Sequence, residues 1–241
     1  MPYAIAHPVA VIPLARALGR HAVPSALAIG SVIPDAWYFF PGVERPFSHD
    51  ASGLVVFCLP WGLLAYLLFH LLLKEPLLHL LPRGLASRAR AFAVPGLPKV
   101  SPLAVVACVA LGAATHLAWD AFTHEGPFSR SIPFLAEDVL RVLQHASTLL
   151  GSAVLGLWVW RKLRAVSPVA APVLSPLIQA IVLVALAAVS MAGFTLAWPS
   201  TELMDFRRAL RIAAGSTGTA LAAALVVYGL LFHALRRTQQ R

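Results

Sequence analysis

Charged residues are scarce in this chain: Asp, Glu, Lys and Arg make up 12% of its 241 residues, roughly half their share in an average soluble domain. A soluble globule needs polar side chains to cover its surface, whereas 59% of this chain is hydrophobic. The composition therefore excludes a soluble monomer, and the high hydrophobicity excludes an intrinsically disordered chain.

Cysteine is nearly absent, which excludes a small secreted module held together by disulfides. Cys58 and Cys108 both lie inside apolar runs, and we expect them to be small buried side chains with no disulfide between them. The first basic residue is Arg16, so no charged segment precedes the first apolar stretch. No cleavable signal peptide is therefore predicted.

Acidic residues are also few, with 10 Asp and Glu against 19 Lys and Arg. The basic residues cluster at the ends of apolar runs and form no face interleaved with exposed aromatic residues, so we do not expect a nucleic-acid partner. The expected partner is a lipid bilayer with an anionic inner leaflet. The clusters comprise Arg88, Arg90, Lys99, Arg161, Lys162, Arg164, Arg236, Arg237 and Arg241.

Five apolar runs are long enough to cross a hydrocarbon core of about 30 Å as helices. They predict an all-α, polytopic transmembrane bundle that forms a single integral membrane domain over residues 1–241. The motifs described below fall in residues 1–160, and the region 161–241 supplies two further spanning helices. The predicted spans are about 53–73, 101–122, 137–160, 174–197 and 211–235.

The loops between these spans differ in charge, and the difference predicts the orientation of the chain. Loop 74–100, loop 161–172 and the tail after residue 235 are strongly basic, which is typical of cytoplasmic segments. Loops 123–136 and 198–210 are mixed in charge and are expected on the outer side. We therefore predict a protein of the bacterial cytoplasmic membrane with a cytoplasmic C-terminus.

Residues 1–47 contain two shorter apolar stretches, about 3–18 and 24–40, separated by a short basic link. Each stretch is short for a full span, so two arrangements remain open. A re-entrant hairpin would place His7 and Asp35 on the outer side. A pair of amphipathic helices lying in the membrane interface is the alternative.

One stripe of ionisable residues lies in the second predicted span. His116, Asp120 and His124 are four residues apart, so they share one helical face and can chelate a metal ion. Each ionisable group at membrane depth costs about 2.5–3.5 kcal/mol on insertion scales, so it calls for a partner or a role. We expect His124 to lie past the helix end, because Gly126 and Pro127 follow it.

The predicted topology brings further histidines and carboxylates to the same outer level. Asp50, in the Ser48-His49-Asp50 segment before the first span, is either part of this group or the cap of that span. Imidazoles and carboxylates are ligands of Zn²⁺, and also of Mn²⁺ or Fe²⁺. One zinc ion or two ions are expected. The predicted metal ligands are His7, Asp35, His49, His116, Asp120 and His145, and the predicted proton-transfer residues are Asp120, His145 and His124.

Several segments carry a family resemblance. The opening MPYAIAHPVAVIPL, then SALAIGSVIPDAWYF, FSHDASG, THLAWDAFTHEG and LQHASTLLG, resemble an uncharacterised bacterial family of polytopic membrane proteins catalogued as a domain of unknown function. The order of the motifs is similar to that of membrane-bound metal-dependent hydrolases. In that group a second acidic residue follows the Pro-Asp pair and a basic residue precedes the Ser-His pair, whereas here AWYFF and Phe47 stand at those places.

The resemblance, which covers roughly residues 1–160, implies a metal site that uses His7, Asp35, His49, His116 and Asp120. Together with the position of the cluster, it leads to the hypothesis of an integral membrane metal-dependent hydrolase. Its site would open at the extracytoplasmic interface and act on a lipid or another phosphoester. The alternatives are a non-catalytic membrane scaffold and an ion or metal transporter. The oligomeric state is not predicted.

Overall fold

The structure is a computed structural model that describes residues 4–39, 45–198 and 206–239. These residues form helices and loops, and no strand is found among them. Short 3₁₀ helices cover Ala4–Val9, Gly19–His21, Ile33–Phe39 and Arg90–Phe92. The longer helical segments are α1 (Val11–Leu18), α2 (Pro24–Gly30), α3 (Arg45–Ser48), α4 (Ala51–Leu80), α5 (Arg83–Ala89), α6 (Pro102–Thr123), α7 (Pro127–Arg130), α8 (Glu137–Arg164), α9 (Pro176–Ala197) and α10 (Phe206–Gln239).

Five of these segments, α4, α6, α8, α9 and α10, are long and apolar enough to cross a membrane. The predicted all-α fold with five spans is therefore confirmed, and the chain is a membrane protein. α4 extends beyond its predicted limits and contains two π-helical turns, Leu54–Cys58 and Phe69–Leu73. The first lies just before Pro60, whose ring has no N–H to donate to the preceding turn.

The chain separates into two compact units. Unit 1 comprises Met1–Tyr66 and Pro98–Ala165, and unit 2 comprises Leu67–Leu97 and Val166–Arg241. The prediction of one domain over the whole chain stays a prediction. Every residue that the sequence singled out as a ligand or a proton-transfer group belongs to unit 1.

Unit 1 is built on the packing of α2 against α6. Val23 and Leu27 of the N-terminal region form a buried cluster with Val109 of α6. Cys108 lies in the same cluster, and Cys58 is buried elsewhere in the unit. Both thiols are free, which confirms that the cysteines act as small buried side chains.

The backbones of α2 and α6 touch at two glycines. A Cβ atom on Gly112 would overlap the carbonyl oxygen of Leu27, and one on Gly30 would overlap that of Val109. Only glycine leaves room for this contact. Because His116 lies one turn after Gly112 and Asp35 follows α2 closely, the contact brings these two side chains to the same end of the pair.

The N-terminal region packs into unit 1 through short helices. The 3₁₀ helix Ala4–Val9 contacts α8 and α6, and the 3₁₀ helix Ile33–Phe39 contacts α6. Both are irregular stretches of backbone, which a membrane protein tolerates where they are buried in protein. His7 and Asp35, one on each 3₁₀ helix, are buried. Whether the region forms a hairpin or lies in the interface stays a prediction.

Unit 2 joins α9 and α10 to the C-terminal part of α4. The Tyr228 hydroxyl donates to the carbonyl oxygen of Pro76 at 3.1 Å. The His233 Nε2 atom lies 3.1 Å from the carbonyl oxygen of Leu72. Pro76 has no N–H, so the Leu72 carbonyl lacks the usual helical donor four residues later, and the contact with His233 satisfies it.

Replacing Gly112 tests the contact between α2 and α6. The Gly112→Ala variant should be destabilised, by about 1–3 kcal/mol, because its methyl group overpacks the interface. The matched control is Gly156→Ala on α8, where a Cβ meets no atom within 4 Å and alanine favours the helix. Thermal unfolding of both variants in detergent checks this, and equal shifts in the midpoint would contradict the proposed role of Gly112.

Candidate metal centre

Imidazole and carboxylate groups from separate parts of unit 1 meet in one buried cluster. His7 comes from the 3₁₀ helix Ala4–Val9 and Asp35 from the 3₁₀ helix Ile33–Phe39. His49 lies in the turn before α4, and His116 and Asp120 lie one turn apart on α6. We call these residues the His/Asp cluster: His7, Asp35, His49, His116 and Asp120.

The ring nitrogens of two histidines face both carboxylates. His49 Nε2 lies 3.5 Å from Asp35 Oδ1 and 3.5 Å from Asp120 Oδ2. His116 Nε2 lies 3.8 Å from Asp35 Oδ1 and 3.6 Å from Asp120 Oδ2. The four atoms therefore surround a common space, with each nitrogen adjacent to both oxygens.

These separations exceed those of hydrogen bonds, since N–H···O bonds are about 2.7–3.2 Å long. They are close to the spacing of ligand atoms around one metal ion. Ligands about 2.1 Å from a tetrahedral ion lie about 3.4 Å from one another. The cluster therefore has the dimensions of a site that can hold a divalent cation, and its donor groups include Asp35, His49 and His116 as one close set and His7, His116 and Asp120 as another.

The carboxylates of the cluster are buried, so their negative charge needs compensation. The side chains of His116, Asp35 and Asp120 are 0%, 10% and 9% exposed. His116 Nε2 and Asp35 Oδ1 have no hydrogen-bond partner in the part of the chain that the structure describes. Buried carboxylates are costly unless a positive charge or a set of donors compensates them. Two ionised carboxylates carry a charge of −2, which one divalent ion balances.

A hydrogen bond outside the cluster orients His116. Its Nδ1–H donates to the carbonyl oxygen of Ser31 at 2.8 Å. This bond selects the tautomer whose Nε2 lone pair points toward Asp35 and Asp120. Metal-binding histidines characteristically donate their second ring nitrogen to such an acceptor, which holds the ring in position.

The neighbouring Ser48 side chain orients His49 in a similar way, through its Nδ1 atom. The Ser48 hydroxyl lies 2.8 Å from His49 Nδ1, which leaves Nε2 directed at the carboxylates. The turn that carries both residues folds closely onto α4, since a Cβ atom on Gly53 would overlap the carbonyl oxygen of Phe47. Glycine at the start of α4 is therefore part of what positions His49.

His7 completes the cluster from the N-terminal side. Its ring stacks on that of His116 with centroids 3.7 Å apart, and neither of its ring nitrogens has a hydrogen-bond partner among the described residues. Burial, reinforced by the nearby His116 imidazole, lowers the pKa of His7 to about 4. His7 is therefore neutral at pH 7, which is the form that binds metals.

The second oxygen of Asp120 faces a different pair of imidazoles. Asp120 Oδ1 lies 3.7 Å from His7 Nε2 and 3.2 Å from His124 Nδ1. The side-chain amide of Gln144, on α8, lies 2.9 Å from His124 Nε2. As predicted, α6 ends at Thr123 and His124 caps it in an extended conformation, which turns the ring back toward Asp120.

Besides His124, two residues of the predicted outer group are not part of the His/Asp cluster. His145 is exposed on α8, because successive helical residues point about 100° apart and Gln144 occupies the direction of His124. Its roles as a ligand and a proton donor stay predictions. Asp50 is the N-cap of α4 and accepts a bond from the Gly53 amide at 2.6 Å. This bond, with one from Ser52, lowers the pKa of Asp50.

Histidines of unit 2 make bonds that explain their presence without a ligand. His79 Nδ1 lies 2.8 Å from the carbonyl oxygen of Glu75, and His70 Nδ1 lies 3.0 Å from Lys74 Nζ. Backbone carbonyls and an ammonium group are ordinary partners for histidine. The His/Asp cluster differs because its imidazoles are arranged around carboxylates.

Sequence reasoning missed two contributors to the site. They are the side chain of Gln144 and the backbone carbonyl of Ser31. Gln144 could have been found from the sequence, because it is a polar residue next to His145 in a predicted span. No sequence signal marks the Ser31 carbonyl, because every residue has one.

Fold and site together define a polytopic helical membrane protein with a buried cluster of histidines and aspartates that can hold a metal ion. The chain belongs to the family described as Domain of unknown function (DUF4184), whose model matches residues 1–230. This bears out the resemblance to an uncharacterised family. No curated protein and no solved structure matches the chain, so the similarity to membrane-bound hydrolases stays a prediction.

Zinc should stabilise the folded protein through the His/Asp cluster. At a free zinc concentration about 100-fold above Kd, the gain in stability is about 2.7 kcal/mol. The thermal midpoint of the metal-stripped protein in detergent should rise on adding zinc, and a chelator should reverse the rise. The rise should be smaller in Asp35→Ala and keep its full size in Asp138→Ala, whose aspartate side chain is 93% exposed. A rise of the same size in Asp35→Ala would place the zinc elsewhere.

Proposed function

We propose that this protein is an integral membrane metal-dependent hydrolase that cleaves a phosphoester of a lipid or another amphipathic substrate. The observation that carries the proposal is the ring of buried donor atoms contributed by Asp35, His49, His116 and Asp120. A cluster that only joined helices would pair its groups by hydrogen bonds. Here nitrogens and oxygens face one another at 3.5–3.8 Å, and His116 Nε2 and Asp35 Oδ1 have no hydrogen-bond partner among the described residues.

Zinc is the ion that these donors suit best. Two imidazoles and two carboxylates form a four-donor set of nitrogen and oxygen, which Zn²⁺ binds in tetrahedral geometry. Mn²⁺ and Fe²⁺ accept the same donors. A bound zinc ion supplies hydrolytic chemistry by lowering the pKa of coordinated water toward 7 and by polarising the scissile group.

The protein's own side chains set the direction of substrate approach. The side chain of His124 is 14% exposed, against 0% for His116, so the cluster is most open on the side of His124 and Gln144. Of the two predicted proton donors, His124 contacts Asp120 and the exposed His145 lies apart. A carboxylate oxygen of Asp35 or Asp120 that is not engaged by the ion can take the proton from the attacking water.

Helix direction supports a site on the extracytoplasmic side. His49 immediately precedes α4, and Asp120 lies in the last turn of α6. The opposite ends of α4 and α6 are joined by a loop that contains Arg83, Arg88 and other basic residues. Because basic loops stay in the cytoplasm, the cluster belongs to the outer half of the membrane. A substrate with a polar head and an apolar part suits this depth.

Metal content is the first test. The purified wild-type protein should contain bound zinc in stoichiometric amount by mass spectrometry. Asp120→Ala should lower that content at least tenfold and His116→Ala by at least half, because each variant removes a ligand. The matched controls are His21→Ala and Asp138→Ala, whose side chains are exposed in unit 1, and both should keep the wild-type content. A wild-type protein without metal after reconstitution with Zn²⁺ would refute the proposal.

Catalysis is tested separately on phospholipid vesicles that carry the protein. We expect zinc-dependent release of a phosphorylated or dephosphorylated headgroup product, lost by at least 100-fold in Asp120→Asn. Asn keeps the size of Asp and its ability to form hydrogen bonds, so a purely structural aspartate would tolerate the change. Activity unaltered in Asp120→Asn would contradict the role of Asp120. A wild-type protein that binds zinc without hydrolysing any phospholipid would support a non-catalytic scaffold, and zinc flux without hydrolysis would support a transporter.

A further inference from the structure

The donor atoms of the cluster divide into two sets around a single carboxylate. One set lies around Asp120 Oδ2 and contains His49 Nε2 and His116 Nε2, at 3.5 and 3.6 Å, with Asp35 Oδ1 opposite. The other set lies around Asp120 Oδ1 and contains His7 Nε2 and His124 Nδ1, at 3.7 and 3.2 Å. No histidine nitrogen is paired with both oxygens of Asp120 in these contacts.

The first set is complete without His7. It offers two nitrogens and two oxygens, which fills the coordination of a tetrahedral ion. A single ion held by those four atoms would not engage the His7 imidazole. The His7 side chain is 1% exposed, and both of its ring nitrogens lack a hydrogen-bond partner among the described residues. Burying an unsatisfied imidazole is costly, and a cation bound at Nε2 would offset that cost.

The second set has the composition of a second metal site. His7 and His124 supply nitrogens, and Asp120 supplies the oxygen that the first set leaves over. Gln144 contacts the far nitrogen of His124 at 2.9 Å, and its amide oxygen can accept an Nε2–H proton after a half-turn of the group. The Thr123 hydroxyl lies 3.1 Å from His124 Nδ1 and donates to the carbonyl oxygen of Trp119 at 3.2 Å. With Nε2–H bonded to Gln144, the Nδ1 lone pair of His124 is therefore available to a metal, as that of His116 Nε2 is.

We infer that the centre binds two divalent ions bridged by the Asp120 carboxylate. The first ion is held by Asp35, His49, His116 and Asp120, and the second by His7, His124 and the other oxygen of Asp120. The inference rests on the proposed function for the metal site, and it assigns His124 to coordination in the two-ion state. The second site has three protein donors and therefore keeps an open position, which a phosphoester oxygen can occupy. Carboxylate-bridged ion pairs suit phosphoesters because each ion neutralises one oxygen of the displacement.

The stoichiometry of bound metal tests the inference on the full chain in detergent. The protein is stripped of metal, reconstituted with Zn²⁺, washed and measured by mass spectrometry. We expect two zinc ions per wild-type chain, one in His7→Ala and one in Asp35→Ala, because each variant removes a ligand of a single site. The control His21→Ala should keep two ions. Thermal unfolding of each variant shows that the loss of metal does not come from loss of the fold.

A spectroscopic readout on the wild-type protein does not depend on the folding of any variant. Two Mn²⁺ ions that share a carboxylate are exchange-coupled, so their electron paramagnetic resonance spectrum should differ from the six-line spectrum of an isolated Mn²⁺ ion. The His7→Ala variant should show the isolated-ion spectrum.

The outcomes separate this inference from the proposed function. One ion per wild-type chain, with an uncoupled Mn²⁺ spectrum, overturns the second site and leaves the single-metal hydrolase standing. Loss of both ions in His7→Ala and in Asp35→Ala overturns the assignment of separate sites. A wild-type chain that binds no metal refutes both proposals.

Discussion

The structure of unit 1 depends on compensating the charge of two carboxylates that are buried among histidines. Asp35 and Asp120 lie in a place where an uncompensated negative charge is costly, and the groups around them are imidazoles. His7 is held neutral by its burial, as its lowered pKa shows. A neutral His7 imidazole does not cancel the charge of a carboxylate. A divalent cation resolves this conflict, and the surrounding contacts arrange the donors for one.

Those contacts reach well beyond the ligands. Gly30 and Gly112 let two helices approach until their backbones touch, which fixes the height of Asp35 relative to His116. The Ser31 carbonyl at the end of α2 then receives the Nδ1–H of His116. The packing of α2 on α6 and the orientation of a ligand are thus one structural feature. A change in either would move a donor by more than the tolerance of a metal site.

The candidate metal centre lies in unit 1, whereas the histidines described in unit 2 make other contacts. Unit 2 contains histidines that bond to backbone carbonyls of α4, as His233 does with Leu72. Such bonds satisfy backbone carbonyls of α4, and the candidate metal-binding groups found among the described residues all lie in unit 1. In unit 1 the imidazoles surround carboxylates instead. The distinction lies in the partner that each ring faces, since residue type and burial are similar in the two units.

The amino-acid sequence by itself determined that the chain is a five-span helical membrane protein, because hydrophobic length and charge placement suffice for that. It also marked His116 and Asp120 as a pair, since residues four apart share a helical face. The presence of Gly126 and Pro127 was enough to predict that α6 ends before His124. The resemblance to a family of unknown function had the same local origin, in short motifs.

Only the tertiary structure decided which distant groups complete the site. His7, Asp35 and His49 reach His116 and Asp120 because backbones touch at glycines, and such contacts join residues that are far apart in the chain. Tertiary packing also placed Gln144 rather than His145 next to His124. The two side chains differ in direction by the rotation of one residue about the helix axis. It made Asp50 a helix cap, and it divided the two oxygens of Asp120 between different histidines. None of these outcomes follows from a local pattern, because each depends on the distance and direction between separate helices.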